Sequence, residues 1–156
     1  MHSVYTRDKF ADMDTQDLTD VFENCPCFRA RAAARRITRD YDEALKGIGL
    51  KSTQFTLLAV IKGKEPSSIT AMADKLAMER TSLIRTLELM ASRGLIELAA
   101  EGYRRERKVS ITPEGEQMLE KAMPLWKKMQ SNFENRIGPS KWKENKELWL
   151  DIAFGD

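Results

Sequence analysis

Two stretches decide the fold: Arg80-Thr81-Ser82-Leu83-Ile84-Arg85-Thr86-Leu87-Glu88-Leu89-Met90-Ala91-Ser92-Arg93-Gly94 and, shortly after it, Arg104-Arg105-Glu106-Arg107-Lys108. In the first, Leu83, Leu87, Met90 and Ala91 recur at helical spacing and form an apolar face, and Gly94 ends the run. The opposite face holds Arg80, Thr81, Ile84, Arg85 and Glu88. Arg80, Thr81, Ser82 and Arg85 combine short hydroxyls with long cations. Such groups hydrogen-bond phosphates and base edges when a helix N-terminus enters a major groove. In the second stretch Arg104, Arg105, Arg107 and Lys108 are countered only by Glu101 and Glu106, with Gly102 to turn the chain. Residues 95–98 and 108–111 flank it as strand-like pieces, so the whole reads as a β-hairpin with a cationic tip. Cations on a protrusion do little for a core and can reach a phosphate backbone or a minor groove. Each feature alone could be a solvated surface; together, in this order, they favour DNA binding.

Working upstream, Ser68 is placed to cap a helix carrying Ile69, Met72, Ala73 and Leu76, and Ala77-Met78-Glu79 turns into the next. Ser52 is expected to cap a short apolar helix over 53–62. From residue 28 to about 46, Ala30, Ala33, Ala34, Ile37, Tyr41, Ala44, Leu45 and Ile48 recur at three and four, with arginines opposite, until Gly47 and Gly49. The stretch to about residue 23 lacks sustained periodicity and is expected to be mobile or loosely docked. Downstream, Thr112-Pro113-Glu114 is a strong helix start. Met118, Ala122, Leu125 or Trp126, Met129, Phe133 and Ile137 follow on one stripe, and Pro124 is expected to kink that helix. Gly138-Pro139 breaks the chain, and Ser140 is expected to cap a last helix with Trp142, Leu148, Trp149 and Ile152 on its apolar side.

The order α-α-α-α-β-β-α-α gives a mainly α fold with a small β-hairpin wing: a winged helix-turn-helix. An acidic lead-in, 1–24, precedes a single domain, 25–156. Within it, 51–112 form the winged part, and 25–50 and 113–156 supply dimerisation helices. Their apolar stripes exceed what one winged domain can cover, which implies a partner surface; a private bundle within one chain is the alternative.

Composition sets the outer bounds. The 156 residues include 26 Lys plus Arg, 24 Asp plus Glu, one His and two Cys, with 42% apolar and 32% charged, which suits one compact domain. The net charge of +2 hides an asymmetry, because in 1–24 only Arg7 and Lys9 face Asp8, Asp12, Asp14, Asp17, Asp20 and Glu23. With His2 alone, His-based triads and multi-His metal sites are excluded on supply, so no catalytic residue, metal or cofactor is expected. The apolar run 55–61 is too short to span a bilayer, and no secretory leader is recognisable, so a cytoplasmic protein without membrane contact is expected. Cys25-Pro26-Cys27 is no disulfide framework and lacks further ligands for a metal.

Three segments carry a resemblance. They are Gly49-Leu50-Lys51-Ser52-Thr53-Gln54-Phe55-Thr56-Leu57-Leu58, Leu87-Glu88-Leu89-Met90-Ala91-Ser92-Arg93-Gly94-Leu95-Ile96, and Arg104-Arg105 with Val109-Ser110-Ile111-Thr112-Pro113-Glu114-Gly115. Together they resemble the MarR family of bacterial transcription regulators, from about residue 27 to the C-terminus. The resemblance implies an intertwined helical homodimer on a palindromic site in double-stranded DNA, usually repressing. Tyr103 stands where the family usually places an Asp that orients the wing arginines, so that ion pair is missing here while the charge remains.

The resemblance also implies an effector pocket where each DNA-binding lobe joins the dimer base. Cys27, Phe28, Arg31, Tyr41 and Phe55 are its expected lining, an apolar set with one cation and one phenol, suited to a small aromatic or acyl carboxylate. Cys27-Phe28 and Tyr41 also resemble the hydroperoxide-sensing branch, although Arg31 replaces a second tyrosine expected there. A thiol switch at Cys27, a buried inert thiol, and a dimeric module that has lost DNA binding stand as alternatives.

Overall fold

A computed structural model describes residues 14–64, 68–99 and 108–155. The chain forms two compact units, 1–39 and 40–156. In the first, Asp14 Oδ1 accepts from the Gln16 N–H at 3.0 Å and starts helix α1 (Thr15–Asn24). Helix α2 (Pro26–Leu45) follows after Cys25 alone and continues into the second unit. The helix at Thr15–Asn24 corrects the expectation of an unpatterned lead-in. Leu18, Val21 and Phe22 do follow helical spacing, but over ten residues and among acids the pattern is too brief to stand out.

The second unit continues from α2 through a 3₁₀ turn, Lys46–Ile48, that ends on Gly49 at φ 69°. Then come α3 (Ser52–Lys64), α4 (Ile69–Lys75), α5 (Arg80–Ser92), β1 (Ile96–Leu98), β2 (Val109–Ile111), α6 (Pro113–Ile137) and α7 (Pro139–Phe154). The strands are antiparallel, with Ile96 opposite Ile111 and Leu98 opposite Val109. Helix α3 packs on α6 and β2, and α4 packs on α5, which packs on β1. Leu57, Leu58, Met72, Leu83, Leu87 and Met90 are fully buried between them, and Ala122 of α6 closes that core. The chain is thus a mainly α winged helix-turn-helix with a two-stranded hairpin.

Two expected caps are corrected. Ser52 lies inside α3: its N–H donates to Asp42 Oδ1 of α2 at 2.8 Å, and Gln54 Oε1 accepts from the Lys51 N–H at 3.1 Å. Gln54 reaching back is one half of a capping box, and the Asp42 carboxylate replaces the missing hydroxyl. At α7 the N-cap is Gly138 at φ 94° with Pro139 next, so Ser140 sits in the first turn. Ser68 and Thr112 cap as expected, accepting from the N–H of Ala71 at 3.1 Å and of Gly115 at 3.0 Å. Ile84, assigned to the polar face, is half-buried against the core instead. Helix α6 runs through Pro124 as one element.

Candidate nucleic-acid interface

The geometry begins with why α5 stands where it does. Leu83, Leu87 and Met90 anchor one face, and burying three such side chains removes several kcal/mol of apolar exposure, at about 1.5–3 kcal/mol each. Arg80, Thr81, Ser82 and Arg85, on the first two turns, are all exposed together. The Glu79 side chain caps the helix, accepting from the Ser82 N–H at 2.8 Å. Hydrogen bonds from the Thr81 and Ser82 N–H groups hold its carboxyl below the usual range, so it stays anionic. The helix N-terminus is therefore already occupied by a carboxylate. Glu79 was legible only as part of a turn, because glutamate is an uncommon N-cap.

The other end of α5 is held by a side chain that its sequence pattern hides. Arg93 donates to Gln54 Oε1 at 3.1 Å and to the Gly49 carbonyl at 2.8 Å. Asp42, beside the same turn, also receives Lys51 Nζ at 3.3 Å. Burial raises the Asp42 pKa, but the hydrogen bonds from Ser52 and Lys51 outweigh it and leave the carboxyl below its usual value. A continuous polar chain thus runs from α2 through the start of α3 to the exit of α5.

The base of the hairpin is equally fixed. Thr112 Oγ1 donates to the Gly94 carbonyl at 2.6 Å, and the Thr112 N–H donates to Leu95 O at 3.2 Å. A Cβ on Gly115 would meet Leu95 O at 2.0 Å, so only glycine lets α6 start this close to β1. Lys108 is exposed at the edge of β2. Arg104, Arg105, Arg107 and Tyr103 lie outside the described residues.

The five residues expected to line an effector pocket divide between the units. In the first, Cys27 and Arg31 are exposed, and the Phe28 ring lies 4.9 Å from that of Phe22. In the second, Phe55 is core and stacks on Trp126 at 6.1 Å. Tyr41 donates its hydroxyl to Gln130 Oε1 at 2.9 Å, and Gln130 donates onward to Glu134 at 2.7 Å. Burial, with Glu134 nearby, raises the Tyr41 pKa. Cys25 and Cys27 are free thiols, the first half-buried and the second exposed.

Comparison with known proteins agrees with this geometry. The family model described as HVO_A0114 matches residues 50–112, from the start of the α3 turn to the end of the hairpin. A MarR-family transcriptional regulator from Rhodococcus sp. RHA1, 13% identical, shares the fold, covering 94% of this chain and 100% of its own with a TM-score of 0.70. The M. tuberculosis transcriptional regulator MosR is 34% identical, with 84% of this chain and 97% of MosR covered and a TM-score of 0.73. The chain belongs to the MarR family. MosR in complex with DNA matches this MarR-family chain at 36% identity, covering 80% of it and 92% of MosR with a TM-score of 0.70. The organic hydroperoxide resistance transcriptional regulator of Bacillus subtilis (strain 168) is 27% identical over 104 residues, which are 66% of this chain and 71% of that protein. Among the described residues, no helix is long and apolar enough to cross a membrane.

Proposed function

We propose that this MarR-family chain is a ligand-responsive transcriptional repressor that binds a palindromic site in double-stranded DNA as a homodimer. The observation that carries the reading is the α5 edge. Arg80, Thr81, Ser82 and Arg85 are all exposed on the first two turns of a helix that Leu83, Leu87 and Met90 lock into the core. Its relatives are regulators rather than enzymes, and one of them, MosR, is described in complex with DNA. The site of action is the cytoplasm. Two-fold symmetry then sets the half-sites roughly 10 bp apart. Selection of bound duplexes from random oligonucleotides should return an inverted repeat of that spacing. Salt-independent or absent binding would reassign the chain as a dimeric interaction module.

The effector we propose is a small aromatic or acyl carboxylate, with Arg31 as its cation and Cys27, Phe28, Tyr41 and Phe55 as the other residues to probe. A hundredfold release of DNA needs only about 2.7 kcal/mol of differential affinity between the free and bound arrangements. A second reading has its own observation: Cys27 is exposed at the start of α2, and the Bacillus relative is a hydroperoxide-resistance regulator. Aromatic carboxylates that release DNA from the parent and from Cys27→Ser, but not from Arg31→Ala, support the ligand switch. Peroxide-driven release that is lost only in Cys27→Ser transfers the function to the thiol.

A further inference from the structure

Helix α5 carries one side chain that the interface described above does not use. Leu89 is 52% exposed, and among the described residues of 40–147 it is the single large apolar side chain left so open. The other exposed ones lie on α1, at the start of α2 or on α7. At about 100° per residue, Leu89 stands roughly 130° round the helix from the middle of the buried Leu83, Leu87 and Met90 stripe, and about 40° from Arg85. It is four residues beyond Arg85 and seven beyond Ser82, so the three form one row. Helices that lie in a major groove read bases with residues spaced in this way over two turns.

The chemistry of that row changes along its length. The first two turns hold cations and hydroxyls, but 86–92 contain no Lys or Arg. Arg93, next in the chain, is engaged with Gln54 and the Gly49 carbonyl. Both hydroxyls of this part fold back onto their own helix: Thr86 Oγ1 donates to Ser82 O at 3.0 Å, and Ser92 Oγ donates to Leu89 O at 2.8 Å. Glu88 is exposed beside Leu89 and has the wrong sign for a phosphate. What Leu89 offers a groove is therefore methyl groups, with no cation or outward hydroxyl on its turn. In the major groove the thymine 5-methyl is the one apolar group among the base edges.

We propose that Leu89 is a thymine reader, packing its methyl groups on the 5-methyl of one thymine in each half-site. This rests on the DNA-binding reading above and adds a base to it. Four residues of helix advance about 6 Å, and base pairs stack about 3.4 Å apart, so that thymine falls within about two base pairs of the one that Arg85 meets. Two-fold symmetry repeats it in the other half-site.

The test uses the full chain and the duplex it selects from random oligonucleotides, with each half-site thymine replaced in turn by deoxyuridine, which lacks only the 5-methyl. Binding, read by fluorescence anisotropy at one salt concentration, should weaken about fourfold at one thymine per half-site, the worth of one buried methyl group. Leu89→Ala should bind the thymine and deoxyuridine duplexes equally at that position, whereas Arg85→Ala should keep the methyl effect. Leu89→Gln, which exchanges methyl groups for an amide, should also lose it. Far-UV circular dichroism confirms that each variant keeps its helices. A selected half-site without thymine, no methyl effect at any thymine, or a methyl effect kept in full by both Leu89 variants overturns the proposal while DNA binding stands. A dimer constant weakened in Leu89→Ala, measured by sedimentation equilibrium, assigns the side chain to a protein surface and also overturns it. A parent chain with no salt-dependent binding to any duplex removes the DNA-binding reading itself, and the thymine contact with it.

Discussion

The winged core and the helices that flank it use similar side chains to opposite ends. Between α3 and α6, Leu57, Leu58, Met72, Leu83, Leu87 and Met90 lose essentially all contact with water. In α1 and α7 no residue is buried, although Leu18, Val21, Phe22, Leu148, Leu150, Ile152 and Phe154 are as apolar. The core finds its neighbours within one chain, so its stability does not depend on concentration. The apolar side chains of the flanking helices stay exposed in the single chain, so any surface that covers them adds stability by mass action. Between these lies the Phe133, Trp142 and Trp149 cluster, with centroids 5.3 to 6.3 Å apart, which pins the base of α7 to α6 and leaves the rest of α7 open.

The largest expected effect tests the core half of this contrast. Leu87→Ala should destabilise the chain by about 2–5 kcal/mol, because it opens a cavity where the neighbours are already close-packed. Urea unfolding should show the same loss at every protein concentration. Next comes the flanking half: Leu148→Asp with Ile152→Asp should weaken dimerisation about a hundredfold, or about 2.7 kcal/mol. The unfolding midpoint of the winged core should be unchanged in the monomer. If that midpoint falls with the dimer constant, the two regions are not energetically separate.

A third variant asks whether the α5 edge reads sequence. Arg85→Ala should cost about 1–3 kcal/mol at one base position and little elsewhere. A loss shared equally by all sites would make Arg85 a phosphate contact. Arg93→Ala should weaken all sites together by about 1–2 kcal/mol with no change in salt slope, since Arg93 ties the exit of α5 to Gln54 and the Gly49 carbonyl. The smallest effect is a pH dependence. The Asp42 carboxyl is held below its usual value in the folded chain, so its contribution is present at neutral pH and is lost as pH falls through that depressed value. Acid titration of stability should therefore show a steeper decline below about pH 4 in the parent than in Asp42→Asn.

Much of the winged core was legible because each of its elements obeys a local rule. The α5 face, the Ser68 and Thr112 caps and the strand pieces are all set within a few residues of themselves. What the sequence hid depends on distance. The helix start at Ser52 is held by Asp42, ten residues upstream in another helix. Tyr41 looked available to a thiol or ligand, yet its hydroxyl meets Gln130, 89 residues away. Helix α1 was missed for the reverse reason: its pattern is local, but acids crowd three apolar residues within ten. Of the expected DNA-binding set, Arg80, Thr81, Ser82 and Arg85 are all exposed on the first two turns of α5, whereas Arg104, Arg105 and Arg107 lie outside the described residues.

Thr112 has a consequence for how such a protein can vary. By gripping the Gly94 carbonyl with its hydroxyl and the Leu95 carbonyl with its N–H, it seals the foot of the hairpin at one point. The last described rung above it joins the Ala99 N–H to the Lys108 carbonyl at 3.0 Å. Everything between those two residues is thus tethered to a frame that does not depend on its length. Doubling such a connection costs only about 0.6 kcal/mol of closure entropy. Insertions, deletions and grafted peptides between Ala99 and Lys108 should therefore leave the helices beneath undisturbed. In engineering terms it is a socket, where a lineage or a designer can exchange contacts without refolding the rest.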